Sequence, residues 1–353
     1  MSQITRRRLV VSTLSAAAGT AAVAILGQRH AFAQATPASS PAASPVASPV
    51  VTDAFPVTLT HVYGKTVIDA APARVVTIGW STQDAVIALG IDPVGIPANT
   101  WGGDADGFLP WTREALGERT LPAILDATDG LPFEQITTLH PDVILAPYSG
   151  ITQDEYDTLT EIAPTVAYAD VAWGTSWQDD QLITGQALGM SATAEKLVAD
   201  TEALIASQTD QYPHLKGKTF AYGNTGDGTA FNFYTTTDAR SLFLTGIGLE
   251  PSDFTKSLDA QAGENAYFVP ISLELAGTIE ADVVVMWFGS EEDYRKAQEM
   301  AAFQAIPAVK EGRFAAVVGQ ALVMASSAFS VLSIPYMLDR FIPTLAAAAE
   351  NVR

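Results

Sequence analysis

Cysteine is absent from this 353-residue chain. That excludes disulfides, thiolate metal sites, a cysteine nucleophile and lipidation of an N-terminal cysteine. Histidine is nearly as scarce, with four in all. Beyond residue 33 only His61, His140 and His214 remain, widely spaced and without an HxxxH pair. A protein site for free zinc or manganese needs a cluster, so metal is expected only inside a chelate. Basic residues are few: 19 Lys and Arg stand against 39 Asp and Glu, a formal charge of −20. The first 33 residues hold four of the arginines and no acid, which leaves the remainder at −24. This balance argues against a nucleic-acid partner, because phosphate neutralisation requires clustered Lys and Arg. Past the N-terminal segment no apolar run is long enough to span a bilayer. What is present suits a globular protein: 48% hydrophobic and 16% charged residues, with length for two domains and a sizeable core.

The N-terminal segment reads as an address. Thr5 to Val10 (TRRRLV) carries paired arginines, Leu9 to Leu26 is weakly hydrophobic, and Ala31-Phe32-Ala33 offers a small-x-small cleavage site. Residues 1–33 resemble a twin-arginine export signal. The protein is therefore expected outside the cytoplasm, periplasmic or at the cell surface, and, lacking cysteine, not a lipoprotein. Residues 34–54 form a Pro/Ala/Ser-rich linker that cannot bury a core.

Two stretches organise the rest. LPFEQITTLHPDVILAP (131–147) reads as a helix opening at Glu134, stopped by His140-Pro141, then Asp142 and a buried strand. ISLELAGTIEADVVVMW (271–287) repeats it: Glu274 lies eight positions before Asp282, as Glu134 lies eight before Asp142. A helix–strand unit used twice implies two lobes of similar build. Around these units strands alternate with helices, which favours largely parallel sheets. Val57 to Ile68 reads as a hairpin. The apolar periodicity of 176–211 predicts a long helix acting as a rigid spacer, with Gly189 and Ser191 marking a break. The expected organisation is an N-terminal α/β lobe at 55–172, a connecting helix at 173–213 and a C-terminal α/β lobe at 214–353.

Taken together, Arg74-Val-Val-Thr-Ile, Leu89 through Gly95, Glu134 through Leu145, Trp177 to Gly189 and Glu274 through Val285 resemble the periplasmic substrate-binding proteins of iron–siderophore ABC importers. That wider group includes cobalamin and haem binders. The resemblance implies two α/β lobes joined by a single long helix, with the ligand in the cleft between them and little lobe movement. It also implies that Glu134 and Glu274 dock with arginines of an ABC permease in the cytoplasmic membrane. Read from the residues alone, each is a first-turn glutamate favoured by the helix dipole.

Ligand contacts in such a fold come from loops at the carboxyl ends of strands. Those loops hold Trp80, Trp101, Tyr148 and Trp173 in the first lobe, and Asn224, Tyr234, Arg240 and Trp287 in the second. Aromatic rings suit a large, partly apolar chelate, and arginine suits its anionic oxygens. Arg113 is the second basic candidate, and Arg74 reads as structural. So few cations lean towards a hydroxamate or mixed, near-neutral ferric siderophore. Cobalamin or haem is the alternative ligand, with Tyr148 or Tyr234 as a haem ligand. An exported hydrolase is the alternative class. Gly79-Trp80-Ser81-Thr82-Gln83 follows a strand, but Gln83 stands where a nucleophile elbow needs glycine, and no late histidine follows. Gly223 to Gly228 lacks the P-loop lysine. The protein is thus expected to be a binding protein rather than an enzyme, a monomer, with no cofactor of its own.

Overall fold

Strands β3 (Val75–Thr77) and β6 (Val143–Leu145) are buried at every position, as strands covered on both faces must be. They lie side by side in an all-parallel sheet of order β5-β4-β3-β6-β7, with β4 at Gly95–Pro97, β5 at Ala123–Leu125 and β7 at Thr165–Val166. The chain winds one way from β3 and then the other from β6, so the strand order reverses between them. A separate antiparallel hairpin, β1 (Val57–His61) and β2 (Gly64–Ile68), precedes this sheet. These elements come from a computed structural model that describes residues 53–263 and 266–352. The export signal and the linker up to residue 52 lie outside the described residues.

The second sheet repeats the plan with one change. Strands β8 (Thr219–Asn224), β12 (Val283–Phe288) and β13 (Phe314–Val318) run parallel, with short β10 (Glu250–Pro251) beside β8. Strand β9 (Ala230–Tyr234) pairs antiparallel with β8 on the side that β10 shares, and β11 (Phe268–Ser272) pairs antiparallel with β9 at the edge. Two α/β lobes are the result, the first wholly and the second partly parallel. No helix among the described residues is long and apolar enough to cross a membrane.

The repeated aspartates explain why the sequence pattern recurs. Asp142 accepts backbone hydrogen bonds from Ala73 and Arg74 at 2.8 and 2.9 Å, tying the entry of β6 to that of β3. Asp282 accepts from the Thr219 backbone at 2.8 Å, and its own N–H donates to Thr219 Oγ1 at 2.8 Å, tying β12 to β8. Each lobe thus locks its two central strands with one carboxylate. The helices ahead of them differ: Phe133–Thr138 is an α-helix, whereas Leu273–Thr278 is a 3-10 helix. Glu134 and Glu274 are both exposed in the first turn.

The connector comprises two helices, Trp177–Ala187 and Ser191–Thr209, rather than one. Gly189 sits at φ +70 and ends the first. Its N–H donates to the Gln186 carbonyl at 3.2 Å and that of Met190 to the Gly185 carbonyl at 2.7 Å, a pairing that closes a helix C-terminus. Asp53 then seats the second helix, accepting from Ser191 N at 3.1 Å and Oγ at 2.6 Å. A Cβ on Gly185 would stand 2.3 Å from that of Ala194, so glycine lets the two helices pack tightly across the break.

Candidate functional site

The cleft begins where the strand order reverses in the first lobe. After β3 the chain turns at Gly79, φ +107, where a Cβ would lie 2.1 Å from the Tyr148 carbonyl oxygen. Only glycine allows the β3 and β6 loops to close so tightly. Trp80 follows with its N–H on that same carbonyl at 3.3 Å, and the residue stays 42% exposed. Gly150 makes a matching concession, since a Cβ there would meet Trp173 Nε1 at 2.3 Å. Trp173 is itself held at φ +60 with its N–H on the Ser149 carbonyl at 2.9 Å, and is 37% exposed. Trp80 and Trp173 meet with ring centroids 5.2 Å apart. Large apolar rings left this open, on backbone fixed by close contacts, form a ready binding surface.

The facing wall belongs to the second lobe. Trp287, near the carboxyl end of β12, meets Trp101 of the first lobe edge-on at 5.9 Å. The Trp101 loop is tied across by Gly102 N–H donating to Gln320 Oε1 at 3.2 Å. Arg240 enters the cleft from the helix Ala239–Gly246 with its side chain 13% exposed. Its Nη1 donates to both Asp238 carboxylate oxygens at 3.1 and 2.9 Å, Nε donates to Ser327 Oγ at 3.1 Å, and the guanidinium stacks 4.1 Å from the Tyr234 ring centroid. No hydrogen bond among the described residues uses Nη2. Burial works against its charge, but Asp238, with the Tyr234 and Tyr222 hydroxyls, outweighs it and holds the guanidinium above its ordinary value. Arg240 is therefore a fixed cation with one edge unspent. The space between the walls is about 620 Å³. A larger open groove of about 1500 Å³ lies on the second lobe beneath Thr219 and Asp282, at the amino ends of the strands. Ligands of such sheets gather at the carboxyl ends, and the groove has no tryptophan.

Of the eight residues expected to contact ligand, Trp80, Trp101, Trp173, Arg240 and Trp287 line this cleft. Three do not. Tyr234 is buried behind it, its hydroxyl accepting from Trp287 Nε1 at 2.8 Å and Asn224 Nδ2 at 3.1 Å. Asn224 is buried beside it, its Oδ1 accepting from Gly226 N–H at 2.7 Å. Tyr234 steadies the Trp287 and Arg240 side chains from behind, and Asn224 holds the Tyr234 hydroxyl. Tyr148 turns away into a separate cavity of about 630 Å³ that it shares with Trp173 and Phe243. Position on a post-strand loop does not reveal which way a side chain turns. Arg113 is also elsewhere, spent on Asp104 and Asp106 at 2.8 and 2.7 Å. Arg74 is structural, its Nε donating to the Leu139 and His140 carbonyls at 3.0 Å.

Sequence reasoning missed other lining residues, among them Asp126, Glu155, Met324 and Ser327. Asp126 follows β5 directly, a signal that was legible. Glu155 was disguised as the third residue of a capping box: its Oε2 accepts from Thr152 N–H at 2.7 Å.

A buried polar seam beneath the cleft was also missed. Asp84 accepts from Trp111 Nε1 at 2.7 Å, Thr112 Oγ1 at 2.8 Å and, from the second lobe, Ser330 Oγ at 2.7 Å. Asp180 accepts from Ser81 Oγ at 3.0 Å and Thr82 Oγ1 at 2.9 Å. Burial pushes Asp84 up to about 6 and Asp180 up to about 7, against the pull of those hydroxyl and indole donors. Both lie above their unfolded value, so between about pH 4 and 7 the folded state binds more protons than the unfolded. Their contribution to stability consequently falls as pH rises through this window. Thermal unfolding followed from pH 5 to 8 should show a Tm about 5 °C higher at the acid end, with Asp180→Asn removing about two-thirds of the slope. An unchanged slope in the variant would locate the dependence elsewhere.

The sequence matches the profile of the family described as periplasmic binding protein over residues 75–320, more than half of the chain. It is 25% identical over 277 residues to the putative ABC transporter substrate-binding lipoprotein YhfQ of Bacillus subtilis, covering 72% of this chain and 79% of the relative. It is 26% identical over 258 residues to the probable siderophore-binding lipoprotein YfiY of the same organism, covering 70% and 73%. Among solved structures, Streptococcus pneumoniae PiaA in complex with ferrichrome superposes with a TM-score of 0.76 at 35% identity, over 84% of this chain and all of that one. The expectation that the protein is not a lipoprotein is corrected by these relatives, two of which are named lipoproteins. The lack of cysteine bears on one attachment chemistry only. Profile, relatives and fold agree, and the chain belongs to the periplasmic binding protein family.

Proposed function

We propose that this protein captures a ferric siderophore outside the cytoplasm and delivers it to an ABC permease. The observation that carries this is the cleft itself: four tryptophans and one arginine with an unspent edge, brought together from both lobes. Tryptophan faces fit the organic shell of a chelate, and Arg240 Nη2 offers paired donors to the anionic oxygens that ligate iron. PiaA, which shares the fold at 35% identity, was solved with ferrichrome, and YfiY is named for siderophore binding. In this reading iron arrives inside the chelate, because the sequence offers no cysteine and only widely spaced histidines for a free ion. Haem ligation loses its candidates, because the Tyr234 hydroxyl is spent behind the wall and Tyr148 faces another cavity.

A hydroxamate or mixed, near-neutral chelate fits best, since Asp238 already balances the single cation. The protein acts as a monomeric carrier and not as an enzyme. Glu134 and Glu274, exposed and without an ion-pair partner among the described residues, are the permease contacts, one on each lobe.

Tryptophan fluorescence tests this directly. Titration with ferric hydroxamate, ferric catecholate, haem, cobalamin and free iron or zinc salts should give saturable one-to-one quenching by a ferric hydroxamate and none by free metal. Saturation by haem or cobalamin alone would replace the ligand class. Binding by none would remove the proposal.

A further inference from the structure

The charges that face the cleft do not sum in favour of an anion. Three ionisable side chains line it: Arg240, Asp126 and Glu155. Arg240 is matched by Asp238, both of whose carboxylate oxygens accept from Nη1. The two remaining carboxylates have no ion-pair partner among the described residues. Asp126 is exposed, and its Oδ1 accepts from Thr128 N–H and Oγ1 at 3.0 and 2.6 Å, so its charge is fixed in place. Hydrogen bonds from Thr128 hold its carboxyl below the usual range. Glu155 is oriented through Oε2 by the Thr152 capping box, and no hydrogen bond among the described residues falls on Oε1. Both belong to the first lobe, as do Trp80 and Trp173, whose rings are the most exposed tryptophans in the chain.

Open indole faces together with unmatched carboxylates are the chemistry that recognises an ammonium group. The ring quadrupole attracts a cation, and a carboxylate supplies the counter-charge. Arg240 on the opposite wall needs only the neutral iron–hydroxamate core, whose ligating oxygens keep partial negative charge. From this we infer that the cleft selects a ferric tris-hydroxamate bearing a free ammonium group, net charge +1, over its neutral counterpart, with Asp126 and Glu155 as the selecting residues. The inference rests on the siderophore reading above and sharpens it to a charge class.

The test compares two ferric complexes of one linear tris-hydroxamate, one with its terminal amine free and one with that amine acetylated. Fluorescence titrations of the whole protein at low salt should give an affinity about tenfold higher for the ammonium form, the scale of a partly solvated ion pair. The ratio should shrink with added salt, as exposed charges do. In Asp126→Asn with Glu155→Gln, which keeps the turn and the helix cap, the ratio should fall to within about twofold. Equal affinities in the unaltered protein, or a ratio that survives in the double variant, would overturn the inference while leaving siderophore capture in place. Failure of both complexes and of every other ferric chelate would overturn the two together.

Discussion

Arg240→Ala weakens capture of a ferric hydroxamate by roughly a hundredfold in a fluorescence titration, the loss of about two charge-assisted hydrogen bonds. The guanidinium is the one cation lining the cleft among the described residues, and its geometry is set before ligand arrives. Asp238 takes both Nη1 donors, Ser327 takes Nε, and the Tyr234 ring lies beneath. Only Nη2 is left for ligand. The same substitution strands Asp238, whose side chain is 6% exposed, and an abandoned buried charge costs about 3–5 kcal/mol. Unfolding should therefore begin several degrees earlier, and partial unfolding would itself lower the apparent affinity. Adding Asp238→Asn separates the two effects. Asparagine removes the orphaned charge and still caps the helix Ala239–Gly246. The double variant should regain most of the lost Tm and none of the lost affinity. Recovery of affinity with stability would demote Arg240 to a structural residue.

Glu134→Ala combined with Glu274→Ala should leave chelate affinity within about twofold and reduce cellular uptake to about a hundredth, as truncation of two interfacial charge pairs would. Neither glutamate lines the cleft, and both are exposed in the first turn of their helices. The contrast with their partner aspartates is informative. Asp142 and Asp282 are consumed by backbone hydrogen bonds within their lobes. The repeat therefore carries two separate jobs, an internal lock and an outward charge. Each single variant should lose less than the pair, because either lobe alone keeps one contact. Normal uptake by the double variant would return the glutamates to the helix dipole. Lost chelate affinity would place them in the site instead.

How far the sequence led depended on distance along the chain. The strands β3, β6, β8 and β12 announced themselves as short apolar runs, and Asp142 and Asp282 marked their entries. The hairpin was legible too, with its turn at Val62-Tyr63. The second copy of the repeated unit kept the spacing and changed the winding, from α to 3-10. Apolar periodicity carried the connector as a single spacer, and the glycine break proved to be a true helix end. What stayed hidden was long-range. Asp84 and Ser330 are 246 residues apart, and nothing near either position declares the partnership. The same holds for Tyr234 and Trp287. A tyrosine on a strand beside the cleft looks like a ligand contact until its hydroxyl is seen to be spent on an indole.

Four of the chain's six tryptophans stand on the walls of one cleft, in two pairs with centroids 5.2 and 5.9 Å apart. Absorbed light will migrate within each pair before it is emitted, so the emission should be strongly depolarised even in a rigid molecule. The intrinsic glow of the protein is in effect that of its cleft. A coloured guest seated among those rings should drain excitation from both pairs at once, leaving only Trp111 and Trp177 to report on the rest of the fold.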